Sequence, residues 1–453
     1  MGVRIGLAAV GLVVCVSAPA SAQFTLSDAL AVAYETNPQL ASARTALEAL
    51  DQGVAQANAG WRPSVNASGS YGLERGAVQG IAAPFNTTPV IGQVTVSENI
   101  FRGGRTSAEV SRAIALVRAG RAQLLSTEQQ VLLAAITAYE DVLRDTDIQR
   151  LNADNVKSLE NELNAVTTEL RAGDVTKTDE LQAEARLNRA KSDLALADAR
   201  LAASRAEFQN VIGRPAETLL DDGRLPALPA TRDTALDLAF RQNPDLLQAK
   251  YSAKAADYAV DDAAGALLPQ VSVAGQYQYL RDAGGTNIFA TNKPQNVVSV
   301  IGQVTVPIYQ GGGDEATVRR AKDVAHQTTI DIATAQRGVQ QDVDTSWTAL
   351  VSEKAAVLAS VSEATADQAA VAGVAEERRG GERTELDVLN AQQEYVNAQI
   401  AAATARHDYA ISAYRVLAAA GQLTARHLSL NVKYYDPRAH YDDSADAWFG
   451  FGD

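Results

Sequence analysis

The most constraining feature of this sequence is a seven-residue segment that occurs twice. VIGQVTV occupies residues 90–96 and recurs at 300–306. Longer matches flank both copies in the same order: ALAVAYETNPQL (29–40) corresponds to ALDLAFRQNPDL (235–246), and GDVTKTDELQA corresponds to GERTELDVLNA. Matches that keep their order while their spacing drifts indicate a duplicated unit with small insertions. The chain is therefore predicted to be one architecture built twice.

The duplication divides the chain into five predicted segments. Residues 1–22 are expected to be a signal peptide, because Arg4 is followed by a short apolar run and then by an A-x-A motif. The apolar run is shorter than the roughly 20 residues that a membrane-spanning helix needs. The remaining predicted segments are a first repeat at 23–220, a linker at 221–232, a second repeat at 233–424 and a C-terminal tail at 425–453.

Charge and cysteine content narrow the functional classes. The formal net charge is −14 and the charged residues are scattered, so we expect no nucleic acid partner. The single cysteine, Cys15, lies inside the predicted signal peptide, so the mature chain is expected to have no disulfide and no lipid on cysteine. The four histidines show no metal-ligand spacing, and no nucleophile and base are paired. We therefore expect no cofactor, no metal site and no enzymatic activity.

Each repeat is predicted to contain a helix, a strand, a loop, a second strand and two further helices. The first helix ends before a proline, because the residue that precedes proline disfavours helical geometry. No proline occurs from Arg105 to Arg171 or from Asp314 to Arg379, and a helix of this length measures on the order of 100 Å. Apolar residues then recur every seven positions in the last helix of each repeat, which predicts antiparallel coiled-coil packing.

The predicted strands alternate apolar and polar residues. In the second VIGQVTV segment the valines and the glycine point to one face, while Gln303 and Thr305 point to the other. A single strand of this kind also fits a half-buried strand of a soluble sheet. If the strands span a bilayer, four of them cannot close a barrel, and open sheet edges are not viable in lipid. At least two chains would then share one barrel, and three chains would give twelve strands.

This order of elements resembles the TolC-type outer membrane factors of Gram-negative bacteria. The resemblance covers nearly the whole chain after the signal peptide: two copies of paired strands and paired long helices, with prolines where helix meets strand. It implies an α+β membrane protein that forms a homotrimer. Its twelve-stranded β-barrel, with four strands from each chain, would lie in outer-membrane lipid and continue into a long coiled-coil α-helical tunnel in the periplasm. The C-terminal tail would belong to an equatorial belt or be disordered.

The two helix-to-helix turns, RAGDVTKTDELQA and RGGERTELDVLNA, match the family's periplasmic-tip motif. The resemblance implies that Asp387 belongs to a ring around the pore aperture, where Asn390 takes the place of a second aspartate. It also implies that Arg383 is a latch that holds Thr178 and Asp179 in the closed tip. The residues that align with the family's adaptor-docking turns are Ala172, Gly173, Asp174, Gly380, Gly381 and Glu382. Gly173 and Gly381 match the family's motif, whereas the apolar residues that flank the glycine in the family are absent here. Solvated charges at helix starts are the simpler interpretation of any one of these residues.

The function that the resemblance implies is a passive export duct. A periplasmic adaptor and an inner-membrane pump of the ABC or RND type would open it. The cargo is either proteins, as in type I secretion, or small molecules, as in drug efflux, and the tail YYDPRAHYDDSADAWFG is similar to the tails of type I members. A non-conducting periplasmic coiled-coil scaffold or adhesin is the competing interpretation. It would explain the heptads but not the alternating hairpins.

Overall fold

The structure is a computed structural model, and it describes residues 24–76, 85–221, 223–283 and 293–450. The predicted signal peptide and the central parts of both predicted strand–strand loops lie outside the described residues. In the first repeat, the elements are α1 (Leu26–Thr36), α2 (Pro38–Asn58), β1 (Ser64–Tyr71), β2 (Glu74–Gly76), β3 (Phe85–Arg102), α3 (Arg105–Ala172) and α4 (Lys177–Ile212). In the second, they are α5 (Arg232–Gln242), α6 (Pro244–Gly265), β4 (Gln270–Ala283), β5 (Gln295–Thr305), α7 (Gly313–Arg379) and α8 (Glu385–Ala419), followed by the short helix α9 (Ala439–Ser444).

The predicted order of elements is confirmed in both repeats. The short strand β2 and the first residues of β3 occupy part of the predicted first loop, so the first hairpin is longer than the alternation indicated. The two proline-free segments are single helices of 68 and 67 residues. Among the described residues, no helix combines the length and the apolar character that crossing a membrane requires.

Equivalent asparagines begin the second helix of each repeat. Asn37 caps α2 by accepting hydrogen bonds from the N–H groups of Gln39 and Leu40, and Pro38 occupies the first helical position, where its missing N–H is not needed. Asn243 does the same for α6. The side-chain amides of both asparagines also donate to a carbonyl near the end of a long helix, Val211 in α4 and Ala419 in α8, at 3.1 Å. The duplication therefore extends to single hydrogen bonds.

A glycine pair stands where strand gives way to long helix in each repeat. Gly103 and Gly104 have φ angles of +63° and +80°, and Gly311 and Gly312 have φ angles of +66° and +80°. A Cβ atom on Gly103 would lie 2.2 Å from the Gly265 carbonyl oxygen. Residues with side chains rarely adopt this φ region, so the glycines provide the backbone freedom that a sharp strand-to-helix transition needs.

The four long strands form one antiparallel sheet in the order β1-β3-β4-β5, and β2 extends the first hairpin by pairing with β3. The pairing of β3 with β4 joins the two repeats through a register that runs from Thr88 opposite Ala283 to Arg102 opposite Gln270. Within this chain, β1 and β5 are the edges of the sheet and each pairs on one side.

The largest buried cluster surrounds the middle of α3. There α1 and α2 pack with the ends of α4 and α8, and with the C-terminal segment. Tyr139 and Phe208 are fully buried in it, and the Tyr139 hydroxyl lies 2.9 Å from the Phe24 carbonyl and 2.8 Å from the Leu220 carbonyl. Leu219 and Leu228, from the segment between α4 and α5, pack against this cluster, and Leu430, from the C-terminal tail, belongs to it. These two parts of the chain therefore meet at the cluster. The expected equatorial belt would consist of these elements.

Candidate functional site

The two faces of the sheet differ in chemistry, as the cross-strand register shows. One row across the sheet consists of Asn66, Thr95, Gln276 and Ser299, and the next consists of Ala67, Val94, Tyr277 and Val298. Residues directly opposite each other point to the same face, and successive rows point to opposite faces. The apolar face is exposed in the chain: Val65, Val94, Val96, Val273, Tyr277, Val298, Val300 and Val304. An apolar surface of this extent indicates contact with lipid or protein.

At the far ends of the long helices, the two turns are built alike. Gly173 ends α3 with a φ angle of +89°, and Gly381 follows α7 with a φ angle of +77°. Three residues after each glycine a threonine caps the next helix, and three residues later an aspartate completes a capping box. These pairs are Thr176 with Asp179 and Thr384 with Asp387.

The six turn residues expected to dock an adaptor are all exposed. They lie in two short segments: 172–174 contains the last residue of α3 and the glycine that ends it, and 380–382 connects α7 to the cap of α8. Exposed backbone at a chain reversal is accessible to a partner, since it carries no helical neighbour on its outer side. Adaptor docking at these turns stays a prediction.

The predicted aperture residues lie three positions apart at the start of α8. The Asp387 carboxylate accepts hydrogen bonds from the Thr384 N–H at 2.9 Å and from the Thr384 hydroxyl at 2.8 Å. These bonds, with a smaller contribution from the charge of Arg383, lower the pKa of Asp387 below its usual value. The Asn390 Oδ1 accepts a 2.7 Å hydrogen bond from Arg186, so it links α8 to α4.

The predicted latch residues are not joined to each other within one chain. Arg383 donates from Nε to Glu377 at 2.9 Å, a partner on the preceding helix. Asp179 is held by its own cap, which lowers its pKa through hydrogen bonds from Thr176, and Thr178 is exposed beside it. A link from Arg383 to Thr178 or Asp179 therefore requires a neighbouring chain, and it stays a prediction.

Sequence reasoning missed a partly buried charge cluster next to the second turn, in which Glu385 is the buried member. Arg378, near the end of α7, lies between three carboxylates: it donates to Glu169 at 3.0 Å, reaches Glu162 at 3.4 Å, and its Nε is 2.6 Å from Glu385. The pKa of Glu385 is raised to about 7: burial is the largest cause, the nearby Glu162 also raises it, and the charge of Arg378 opposes both effects. The cluster fastens α3 to α7 and α8.

One sequence signal points toward this cluster. Glu162 and Glu169 are seven residues apart and so share one helix face, but the spacing does not reveal that Arg378 and Glu385 lie opposite them.

A second missed group lies farther along the same helices, where the buried His407 contacts Asp141 and Asp408, each at 2.8 Å. Burial alone would lower the pKa of His407, but these two carboxylates raise it above its usual value.

Comparison with known proteins agrees with the duplicated fold. The family model described as outer membrane efflux protein matches residues 29–214 and again residues 235–422. The outer membrane efflux protein BepC of Brucella suis biovar 1 is 34% identical to this chain, over 94% of this chain and 91% of its own length. The alkaline protease secretion protein AprF of Pseudomonas aeruginosa is 27% identical, over 67% of this chain and 64% of its own length.

Among solved structures, the CmeC outer membrane channel of Campylobacter jejuni superimposes with a TM-score of 0.80. The match covers 93% of this chain and 89% of that one at 14% identity, so it shows a shared fold. The two family-model matches fall on the two repeats that the sequence and the structure both display. The chain belongs to the outer membrane efflux protein family.

Proposed function

We propose that three copies of this chain form a passive export channel in the outer membrane of a Gram-negative cell. The observation that carries this proposal is the sheet, which has an exposed apolar face, a polar face and two edges that stay open within the chain. Each unpaired backbone group in lipid costs several kcal/mol. Pairing β1 of one copy with β5 of the next satisfies both edges. Three copies then give twelve strands, an even number above the minimum of eight.

The long helices continue this barrel as a periplasmic tunnel, whose tip consists of the capped turns. Asp387 and Asn390 line the aperture there, and Arg383 of one copy holds Thr178 and Asp179 of the next. Three converging Asp387 carboxylates hold water and attract cations. The low pKa of Asp387 supports this role, because the group stays ionised at neutral pH.

The exposed turns at 172–174 and 380–382 dock a periplasmic adaptor, and the adaptor joins the channel to an inner-membrane pump of the ABC or RND type. The pump supplies the energy and the channel performs no chemistry. The support for this partner is the exposure of both turns and their matched construction, which presents two similar surfaces per chain.

For cargo, we favour proteins exported by type I secretion. AprF, a relative over two thirds of this chain, is named as an alkaline protease secretion protein. Small-molecule efflux is the second candidate, and it is favoured by BepC, which is more similar and is named as an efflux protein. Deleting the gene separates the two: loss of a secreted protein at unchanged drug susceptibility supports secretion, and the reverse result supports efflux.

The channel itself is tested with purified mature protein in detergent and in planar lipid bilayers. We expect the mass of a trimer and stepwise ion conductance, because the strands close only between chains. A stable monomer that never conducts would contradict the channel and favour the non-conducting scaffold.

A further inference from the structure

The C-terminal segment, residues 425–450, lies along the first two helices and runs toward the sheet. It starts at Ala425, whose N–H donates to Glu128 in α3 at 2.8 Å. Its later hydrogen-bond partners lie progressively farther along α1 and α2, so the segment runs in the same direction as these two helices. These pairs are Tyr34 with Tyr435, Asp51 with His440, and Asn58 with Ala445, at 3.1, 3.1 and 3.0 Å.

Arg62 fixes the end of this segment immediately before β1. Its guanidinium donates to the carbonyl oxygens of Ala447 and Asp446, and it lies 4.6 Å from the centroid of the Trp448 ring. A cation over an aromatic face is attracted by the ring quadrupole, so this contact orients the indole as well as holding it. Arg62 precedes the first residue of β1 by two positions. The segment therefore brings Trp448 to the helix-side end of the sheet.

The aromatic side chains at this place are exposed. Trp448 is 63% exposed, Phe449 is 95% exposed, and Trp61, one residue before Arg62, is 52% exposed. The apolar face of the sheet begins beside them with Val65, which is 67% exposed. An exposed apolar strand face that continues into exposed aromatic residues has the layout of a bilayer core bordered by its interface.

We propose that Trp448 and Phe449 insert into the periplasmic leaflet of the outer membrane beside Trp61, so that the C-terminal segment is a second membrane anchor of the chain. Tryptophan suits the lipid–water boundary, because its ring is apolar and its N–H is a hydrogen-bond donor. Lipid is favoured as the occupant because Phe449, 95% exposed, directly follows Trp448, which Arg62 holds close to the start of β1, where the exposed apolar strand face begins with Val65. The inference rests on the proposed function in one respect: the sheet must lie in the bilayer.

The three tryptophans of the chain make this testable by fluorescence. In the full chain carrying Trp61→Phe and Trp347→Phe, Trp448 is the single reporter. We expect vesicles made from lipids brominated on the upper part of the acyl chains to quench most of its emission. The matched control carries Trp61→Phe and Trp448→Phe and reports on Trp347, which is partly buried among the long helices. Its emission should be unchanged by bromination.

Conductance measured on the same variants separates this inference from the channel proposal. Channels that conduct while Trp448 keeps its full emission in brominated vesicles would overturn the anchor and leave the channel intact. A blue-shifted but unquenched Trp448 would also overturn it, because protein rather than lipid would then cover the ring. Quenching of Trp448 in a protein that inserts but never conducts would support the anchor and contradict the channel.

Discussion

At the residue scale, each capping box determines where the turn places its acidic side chain. Thr384 donates two hydrogen bonds to Asp387, and the positive end of the α8 dipole lies at the same place. Both features stabilise the ionised carboxylate, so the charge persists while the side chain is held in one orientation. The side-chain oxygen of the neutral Asn390 accepts a hydrogen bond from Arg186. Asp387 is therefore the acidic member of the predicted aperture pair.

Replacing Asp387 with Asn should weaken the block of the channel by divalent cations added on the periplasmic side. The change removes three negative charges from a trimer while keeping an oxygen that accepts hydrogen bonds from Thr384. The measurement is single-channel current against divalent concentration. Thr384→Ala is the matched control, since it weakens the cap by about 1 kcal/mol but keeps the carboxylate. If Thr384→Ala relieves the block as much as Asp387→Asn, helix fraying and not charge is the cause.

Replacing Arg383 with Ser should raise single-channel conductance at nearly unchanged thermal stability. The exposed pair that Arg383 forms with Glu377 contributes only about 0–1 kcal/mol, but the predicted link to the next chain recurs three times. Arg379→Ser removes a comparable exposed pair, with Glu376, one turn of chain earlier. Equal conductance changes in the two variants would place the constriction elsewhere.

At the element scale, much of the fold could be predicted because the signals are local. The prolines, the heptads and the alternating valines fixed the order of helices and strands, and the recurring T-x-x-D pattern marks both capping boxes. The path of the tail and the contact of Arg378 with Glu162 depend on packing between distant segments, which no spacing in the sequence records. The candidate site at the turns could therefore be proposed from the sequence, whereas the partly buried charge cluster beside it could not be predicted.

The sheet gives an element-scale prediction. Val300→Arg should impair insertion into the outer membrane, because an arginine on the lipid face costs about 2–4 kcal/mol near the midplane. Ser299→Arg changes the neighbouring residue of β5 on the polar face, where a guanidinium remains in water. Both residues lie near the middle of β5. Insertion is measured as heat-resistant trimer in isolated outer membranes, and equal losses in the two variants would assign the strands to a soluble sheet.

At the scale of the whole molecule, the duplication and the proposed trimer would act together. Two repeats in each of three copies surround the proposed pore with six similar hairpins, so small interactions at the tip recur with the symmetry of the assembly. The Arg378 cluster, which fastens α3 to α7 and α8, occurs once per chain and would occur three times in the proposed trimer. Two states of the tip that differ by a few kcal/mol can be shifted by three such clusters acting in concert.

The last prediction concerns the dependence of opening on pH. The pKa of Glu385 is raised to about 7 from 4.5, so the cluster binds more protons in this arrangement than in one that exposes Glu385, such as the unfolded chain or, as we propose, the opened tip. Its stabilising contribution is fully present below about pH 4.5 and is lost as the pH rises through about 7. We therefore expect the open probability of the channel to increase as the periplasmic pH is raised from 5.5 to 8. Glu385→Gln keeps the neutral side chain at every pH, so it should hold the tip closed and flatten this dependence. Glu382→Gln, an exposed change in the same turn, should leave the dependence intact. An unaltered pH profile in the Glu385→Gln channel would exclude this cluster as its origin.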